Sequence, residues 1–572
     1  MGFALIGAAA LVIIVGVAAF SRRLGVAMPL VLVVVGLGVS YLPGVPAIVV
    51  PPWLILEALL PPLLYAAAVQ VPVMDFRRNF GAISTLSVGL VAATMLGVGL
   101  VLYGILPGLD AAAALALGAV VAPTDAVAAT AVAKRMGLPG RLVTLLEGES
   151  LVNDASALVL LKSAVGAMAA TVSMLQVAGA FAFSVVVAVG IGLVVGYVTV
   201  FVRSKLHDPV LVTTVSFVVP FVAYIPVEAL GASGVLSVVV AGIYSGHAGA
   251  KHFSAQSRIS ERLNWRTVQF VLENGVFLLI GLQLKAIVAH VPHDQIGIIG
   301  SVALGVLIVC LLLVIRSLFV GGLLLRMRLQ GRRARRVAPQ VANELERERR
   351  HPARNERSRR RRGRALERRS ADLHDRQNDV VGVRGGAVLT WAGMRGVVTL
   401  AAAQSLPSDT PYRAQLILMA VTVTILTLLL QGGTLPWLMR LTGVRGTDLV
   451  ADRRELAQLI EEIGSAGESV LQSPQDHLPD GEEVGDGVIE RLRHDVGRRR
   501  ESAWERVENI ENEGPSGPHA QYRSLRAELL AAEREALLEA RSRGSYSSRI
   551  LAQAERMLDL EESRLQQDDD PG

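Results

Sequence analysis

The segment Ala119-Val-Val-Ala-Pro-Thr-Asp-Ala-Val127 places a proline and an acid in the middle of an apolar stretch. Pro123 lacks a backbone donor and disrupts the helix that the flanking residues favour. Carbonyl groups freed in this way inside a membrane must be buried in protein or line a polar cavity. The break carries Thr124 and Asp125, and freed carbonyls beside an acid suit a cation site. A simple kink without a ligand is the alternative interpretation.

The composition of the whole chain is that of a membrane protein. Of its 572 residues, 52% are hydrophobic and only 19% are charged, whereas about 25% are charged in an ordinary soluble protein. Residues 331–380 contain 17 Arg and 8 Asp or Glu, and residues 443–572 contain 17 Arg and 29 Asp or Glu. Only 13 of the 50 carboxylates remain in the rest of the chain. This distribution excludes a single soluble domain and a whole-chain nucleic-acid binder.

Apolar stretches recur along the chain at lengths suited to a bilayer. A spanning helix needs about 20 mostly apolar residues, and the pattern predicts an all-α polytopic membrane protein with about thirteen transmembrane helices. The predicted spans are 3–20, 28–42, 53–71, 82–106, 111–133, 149–170, 175–202, 210–226, 231–246, 264–284, 297–325, 383–406 and 414–440.

The loops between the predicted spans differ in charge. The loops after the first, third, fifth, seventh and ninth spans, with Arg266 at the edge of the tenth span included, contain 13 Lys or Arg residues. The even-numbered loops contain two, Lys285 and Arg413. Short cytoplasmic loops are enriched in basic residues. We therefore expect a multi-pass protein of the cell membrane, with its N-terminus outside and its C-terminus in the cytoplasm.

The charge pattern divides the chain into four segments. A membrane transport domain in two parts, 1–330 and 381–442, is interrupted by an Arg-rich cytoplasmic insertion at 331–380 and followed by an acidic helical cytoplasmic tail at 443–572. The insertion has few large apolar residues and is predicted to be disordered. Contact of its arginines with anionic lipid headgroups is an alternative. Nucleic-acid binding is less favoured, and no nucleic-acid partner is predicted.

The tail carries one apolar stripe at helical spacing. Leu551, Leu558 and Leu565 recur every seven residues and lie on one face of a helix. The stripe could pack against another part of the tail, a second copy of the chain, or the membrane domain, and the sequence does not distinguish among these three partners.

Acids concentrate at the start of the sixth span, Glu147-Gly-Glu-Ser-Leu-Val-Asn-Asp154. Glu147, Ser150 and Asp154 share one helical face, and Glu149 and Asn153 form a second pair beside it. A carboxyl group at membrane depth is stable when it is protonated and neutral, or when it is ionised and compensated by a cation. Asp154 therefore suits a carrier in which a proton and a cation compete. A structural acid bound by backbone donors is the alternative.

Two arginines lie within predicted spans and each needs an acidic partner. Arg395, between Gly393 and Gly396, is predicted to form a structural ion pair with Glu149. Arg316 is expected to bridge Glu273, so that both residues support the core.

For the other ionisable groups that stand out, the favoured interpretation is a solvent-exposed side chain without a role in transport. Lys162, two turns beyond Asp154, is expected to reach water along its side chain, although a role in coupling is open. His247 and His252 are expected in a solvated cytoplasmic loop.

These motifs, in this order, resemble the signature segments of sodium/proton exchangers, in the Asn-Asp (NHE/NhaP-like) branch of the monovalent cation:proton antiporters. The resemblance covers about residues 1–442 apart from the insertion. The matching segments are Pro123-Thr-Asp125, Glu147–Asp154, Gly393-Met-Arg-Gly396 and Leu430-Gln-Gly-Gly-Thr-Leu-Pro436.

The resemblance implies inverted repeats, two broken helices (spans five and twelve) that cross near the ion site, and a core domain that slides against a dimerisation domain. It implies that Asp154 carries either a proton or Na+, that Ser150 and the backbone at Thr124 add oxygen ligands, and that Asn153 supports the site. Asp125 would balance the helix ends at the crossing. A homodimer is also implied.

This sequence departs from the family pattern at two positions. Many members carry an acid after the aromatic residue that follows Leu-Pro-Pro-Leu-Leu, whereas here Tyr65 is followed by Ala66. The family triplet Thr-Asp-Pro is Thr124-Asp125-Ala126. The first departure leaves the preference among Na+, Li+ and K+ open.

The sequence thus predicts a secondary active transporter that exchanges Na+, with Li+ or K+ as alternatives, for H+ by alternating access. We expect no cofactor and no enzymatic activity. A cation channel of similar fold is one alternative, and an intramembrane enzyme or sensor is another. The enzyme has no support from a His-Glu-x-x-His or Gly-x-Ser-x-Gly motif.

Overall fold

The structure is a computed structural model that describes most of the chain. The described residues are 2–24, 28–43, 45, 50–125, 129–130, 137–169, 174–292, 296–350, seven positions between 362 and 373, 381–444, 449–472, 485–511, 518–543 and 548–567. The chain forms two compact units, Met1–Arg445 and Gly446–Gly572.

The first unit is built of apolar helices. A helix bonds its own backbone groups internally, which hydrocarbon requires of any segment that crosses it. Within the described residues its helices are α1 (Gly2–Leu24), α2 (Met28–Ser40), α3 (Leu60–Gln70), α4 (Val73–Ser84), α5 (Val91–Ile105), α6 (Ala111–Val121), α7 (Gly140–Ala169), α8 (Met174–Ser204), α9 (Pro209–Ala229), α10 (Gly234–His252), α11 (Ala255–Ala289), α12 (Gly297–Arg350), α13 (Val383–Trp391), α14 (Val397–Gln404), α15 (Arg413–Thr427) and α16 (Gly433–Thr442).

Three π-helical segments extend or join these helices. Leu54–Leu59 precedes α3, Thr85–Leu90 joins α4 to α5, and Leu428–Gly432 joins α15 to α16. The joined helices are therefore continuous over Val73–Ile105 and Arg413–Thr442.

Among the described residues, seven helices are long and apolar enough to cross a membrane, and four shorter apolar helices accompany them. A described helix overlaps every predicted span. The multi-helical membrane fold is confirmed in this coarse form, whereas the number of crossings stays a prediction.

Two helices extend well beyond the spans predicted for them. Helix α7 begins at Gly140 rather than near Glu147, and Asp154 is therefore about 21 Å from its start at 1.5 Å per residue. Helix α12 continues to Arg350, so residues 331–350 are helical where a disordered segment was predicted. Arg, Ala, Gln and Glu are good helix formers, and a criterion based on apolar content does not detect such extensions. Residues 351–361 and most of 362–380 lie outside the described residues.

Both helices that were predicted to be broken are interrupted. Helix α6 ends at Val121, and the residues from Ala122 to Asp125 are not helical. The twelfth predicted span divides into α13 and α14, with non-helical backbone between Trp391 and Val397. The two interruptions are in contact, because the amide N of Asp125 donates to the carbonyl O of Met394 at 2.7 Å.

The strongest helix packing in the first unit divides it into two helix sets. The first set consists of α1, α2, α3, α8, α9, α10 and α11, and the second set consists of α4, α5, α6, α7 and α12 to α16. Helices pack most extensively within their own set, for example α2 on α11 and α12 on α15. The boundary between the sets positions the site described below.

The second unit is helical and strongly charged. Its described helices are α17 (Leu449–Val470), α18 (Asp486–Glu511), α19 (Pro518–Arg543) and α20 (Ser548–Gln567). Helix α17 packs on α18, and α19 packs on α20. Arg526 and Arg534 of α19 form ion pairs with acids of α20. Leu565 of the apolar stripe lines a groove with Leu529 of α19, which favours packing within the tail. The sequence breaks at 473–476 and 514–518 lie, except for Pro518, outside the described residues.

Candidate functional site

A cavity of about 250 Å³ lies between the two helix sets of the first unit. One wall belongs to the first set and comes from α3 and α11. The other wall comes from the interruption after α6, from α7, and from α14 of the second set. The polar residues that line the cavity are Gln70, Thr124, Asp125, Thr130, Glu147, Ser150, Asp154, Gln269, Glu273 and Thr399. The sequence-predicted acids of spans five, six and ten therefore meet in one place.

Asp154 faces this cavity from the middle of α7. Glu147, Ser150 and Asp154 all line it, as their three- and four-residue spacing on one helical face requires. The side chain of Asp154 is largely buried, with 7% of its surface exposed. It has no hydrogen-bond or ion-pair partner among the described residues. A buried carboxyl group without a protein partner favours either a proton or a cation at this position.

Thr124 and Asn153 form a polar network behind the cavity wall. The Asn153 amide Nδ2 donates to Thr124 Oγ1 at 2.8 Å and to the Thr124 carbonyl O at 3.3 Å. Thr124 Oγ1 donates in turn to Glu149 Oε1 at 2.9 Å. Asn153 therefore holds the interrupted backbone at Thr124 against α7, and its supporting role at an ion site stays a prediction.

The ion pair of Glu149 is not the predicted one. Glu149 pairs with Arg316 of α12, which donates to both carboxylate oxygens. Arg316 Nη1 donates to Glu149 Oε1, and Arg316 Nη2 donates to Glu149 Oε2 at 2.9 Å. Both side chains are buried, and Arg316 also donates to the carbonyl O of Leu389 at 3.0 and 3.2 Å. Both predicted pairs, Glu149 with Arg395 and Glu273 with Arg316, are therefore wrong. Two arginines at similar depth cannot be assigned to two acids before the helices are packed.

Arg395 instead binds backbone carbonyls at the two interruptions. Its Nε donates to the carbonyl O of Val121 at 3.1 Å, and its Nη1 donates to that of Gly393. Val121 ends α6, and Gly393 follows α13, so the guanidinium lies at two helix C-termini. These ends carry partial negative charge, which a cation stabilises.

Asp125 lies at the opposite kind of helix end. A Cβ atom at Gly396 would lie 2.5 Å from Asp125 Oδ2, so the carboxylate is packed against the residue that precedes α14. A helix N-terminus carries partial positive charge, which an anion stabilises. Gly396 permits this close approach because it has no side chain.

Four polar residues of the cavity were missed in the sequence, namely Gln70, Thr130, Gln269 and Thr399. Thr399 is fully buried on α14, and its Oγ1 has no hydrogen-bond partner in the part of the chain that the structure describes. Gln269 donates from Nε2 to Glu273 Oε1 at 2.6 Å and accepts from Gln70 Nε2 at 3.1 Å. The four-residue spacing of Gln269 and Glu273 was the available signal, since it places both on one face of α11.

The two ends of the cavity differ in exposure. At one end Gln70 is exposed, and Glu147 and Gln269 are partly buried. At the other end Ile55 and Val276 are buried and form an apolar cluster with Val50 and Ala401. We call the first the mouth end and the second the closed end.

Among the described residues, two polar bridges join the helix sets beyond the closed end. Gln404 of α14 donates to Gln283 of α11 at 2.8 Å. Lys162 of α7 forms an ion pair with Glu228 of α9. Lys162 lies about 12 Å beyond Asp154 along α7, and Gln283 lies about 15 Å beyond Glu273 along α11.

Sequence comparison identifies the relatives of the chain. Residues 8–441 match the family model described as "Sodium/hydrogen exchanger, transmembrane". An uncharacterized Na+/H+ exchanger of Mycobacterium tuberculosis is 26% identical over 572 residues, which covers 99% of this chain and 96% of that protein. A Na+/H+ antiporter of Aphanothece halophytica is 28% identical over 455 residues, 78% of this chain and 74% of that protein.

A solved structure shares the fold. The sodium proton antiporter of Methanocaldococcus jannaschii at pH 8 superposes with a TM-score of 0.54 and 15% sequence identity. The match covers 77% of this chain and 98% of that protein.

Proposed function

Because the chain belongs to the sodium/hydrogen exchanger family, and is thus a multi-pass membrane transporter rather than an enzyme, we propose that it exchanges Na+ for H+ across the cell membrane. The observation that carries the proposal is Asp154, a buried carboxyl group that faces the cavity and has no hydrogen-bond or ion-pair partner among the described residues. Li+ and K+ are the alternative cations.

In this proposal Asp154 binds a proton and Na+ competitively. The protonated group is neutral and tolerates burial, whereas the ionised group requires a cation in a medium of low dielectric constant. Asp154 can therefore remain buried throughout the transport cycle only while it carries a proton or a cation. Na+ prefers oxygen ligands, and Ser150 and the backbone at Thr124, both on the same cavity wall, would add them.

The interrupted helices supply a fixed electrostatic frame for that exchange. Arg395 compensates the C-terminal ends of α6 and α13, and Asp125 compensates the N-terminal end of α14. The Glu149–Arg316 pair neutralises itself. Asp154 is therefore the group whose charge changes during the cycle.

Alternating access would move one helix set against the other. The cavity lies at their boundary and is covered at the closed end, so a displacement of the sets would close one end and open the other. We further propose the inverted repeats and crossing helices of the family, a homodimer, an N-terminus outside the cell and a C-terminus in the cytoplasm. The charge of the predicted loops supports the last of these.

The substitution Asp154→Asn tests the function. The amide cannot release a proton, so we expect loss of cation-dependent proton movement in proteoliposomes, followed with a pH-gradient dye and with Na+, Li+ and K+ in turn. Asp110→Asn, at the start of α6 and outside the cavity, is the control and should exchange as the unchanged protein does. Exchange by correctly inserted Asp154→Asn at the rate of the unchanged protein would refute the mechanism, and a cation current without proton coupling would favour a channel.

A further inference from the structure

The cavity wall opposite Asp154 also carries a carboxyl group. Glu273 projects from α11 of the first helix set, whereas Asp154 projects from α7 of the second. The two acids thus belong to the two bodies whose boundary forms the cavity. Glu273 is partly buried and lines the cavity beside Gln269 and Phe277.

A chain of two amides fixes the orientation of Glu273. Gln70 Nε2 donates to the carbonyl O of Ala66 at 2.9 Å and to Gln269 Oε1 at 3.1 Å. The Gln269 amide therefore presents its Nε2 to Glu273 Oε1, at 2.6 Å. Oε2 of Glu273 has no hydrogen bond among the described residues. One oxygen is thus anchored, and the other is available to a ligand.

The charge of the cavity favours a cation at this position. Four acids line it, Asp125, Glu147, Asp154 and Glu273, and no Lys or Arg is among its described lining residues. Walls of one charge sign and low dielectric constant focus the field and raise the local concentration of counter-ions. The amide chain begins at Gln70, which is exposed at the mouth end, so Glu273 lies on a polar path from the mouth to the site.

We propose that Glu273 is a second cation-binding residue, which holds the monovalent cation on the wall of the first helix set before the cation passes to Asp154. The inference rests on the proposed exchange function and adds to it. Gln269 acts as a positioning residue, since it anchors one carboxylate oxygen and leaves the other for the cation. A purely structural Glu273 would serve only to join α11 to α3 through Gln70.

Glu273→Gln distinguishes these roles because it keeps the size and hydrogen-bonding capacity of the side chain and removes its charge. We expect the KM for Na+ to rise about tenfold, which corresponds to about 1.4 kcal/mol, while the maximal rate is retained. Glu273→Asp keeps the charge and should restore part of the affinity. Glu57→Gln removes an acid outside the cavity and is the matched control.

A second measurement does not depend on transport. A cation that binds only the folded protein stabilises it by RT ln(1 + [Na+]/Kd). The Na+ dependence of the thermal unfolding of the purified protein therefore yields Kd, which is the half-saturating Na+ concentration. We expect the half-saturating Na+ concentration to rise about tenfold in Glu273→Gln and the Na+ effect to vanish in Asp154→Asn.

The outcomes separate this inference from the proposed function. An unchanged KM and an unchanged half-saturating concentration in Glu273→Gln would overturn the role of Glu273. A lower maximal rate at constant KM would also overturn it, because it indicates a structural role. If the unchanged protein did not exchange, the proposed function would fail, and the Na+ titrations would still decide whether Glu273 binds the cation. A Glu273→Gln variant that fails to fold would be replaced by Gln269→Leu, which removes the anchor and should raise the half-saturating concentration.

Discussion

Glu149 and Asp154 are acids on the same helix with different roles. Five residues of helix turn the chain by about 140° at 3.6 residues per turn, so the two side chains leave α7 on different sides. Glu149 meets Arg316 and Thr124 within the second helix set. Asp154 faces the boundary, where no described residue forms a hydrogen bond or ion pair with it. The helical period thus separates an acid that is paired within the fold from the acid that we propose changes its charge during exchange.

The Glu149–Arg316 pair should control stability. Removal of one partner of a buried ion pair leaves an uncompensated charge and costs about 3–5 kcal/mol. We expect Glu149→Gln and Arg316→Met each to lower the thermal unfolding temperature of the detergent-solubilised protein strongly. The double variant should lose less than the sum of the two, because neither charge is then left alone.

The exposed pair of Arg498 and Asp495 provides the control for this cycle. Surface pairs contribute about 0–1 kcal/mol, so Asp495→Asn should leave the unfolding temperature nearly unchanged. Strictly additive losses in the double variant of the buried pair would show that the two residues act independently.

At the scale of elements, helix positions were predictable and helix ends and pairings were not. Apolar runs locate the helices because hydrocarbon excludes polar side chains. Pro123 predicted the interruption after α6, whereas the interruption between α13 and α14 was implied only by the family resemblance. The extension of α12 to Arg350 could not be predicted from apolar runs, because its residues are mostly polar and charged. The partner of Arg316 depends on how α12 rotates against α7, which is decided by tertiary packing.

The residues of the candidate site could also be predicted only in part. Acidic residues at membrane depth stand out in an apolar sequence, and Asp125, Glu147, Asp154 and Glu273 could be selected for that reason. Thr399 and Gln70 could not, because neutral polar residues are common on helices and only the cavity distinguishes them.

The bridge between α7 and α9 should bias the cavity toward its mouth end. Lys162 and Glu228 join the two helix sets beyond the closed end, and the side chain of Lys162 is about half exposed. A pair this accessible contributes about 0.2–1 kcal/mol. We therefore expect Lys162→Met to raise the population that is open at the closed end by up to about fivefold.

Cysteine labelling can measure that population. The single cysteine, Cys310, is replaced by Ser, and Val276, buried in the apolar cluster at the closed end, is replaced by Cys. A hydrophilic thiol reagent should modify this cysteine faster when Lys162→Met is present. Lys205→Met, at an exposed lysine that follows α8, is the control. Equal labelling rates with and without Lys162→Met would exclude a gating role for the bridge.

For the whole molecule, the residues of the candidate site belong to the first of the two compact units. Each described residue of the cavity, both interruptions and both bridges across the closed end lie in Met1–Arg445. The second unit forms its own helix pairs, held by ion pairs such as Arg500–Glu468 at 2.9 Å. Exchange needs a proton-binding acid, a cation path and two bodies that move, and the first unit contains candidates for all three.

A chain that ends at Arg445 should therefore insert into the membrane and exchange ions. We expect its KM for Na+ in proteoliposomes to equal that of the full chain, because the residues of the cavity are unchanged. A chain that ends at Val381 lacks α13 to α16, and with them Arg395, Gly396 and Thr399. It is the control and should not exchange, because the carbonyls at the end of α6 lose their cation. If the chain ending at Arg445 were inserted and monodisperse but inactive, the second unit would be part of the transport mechanism, and the exchange site could not be assigned to the membrane helices alone.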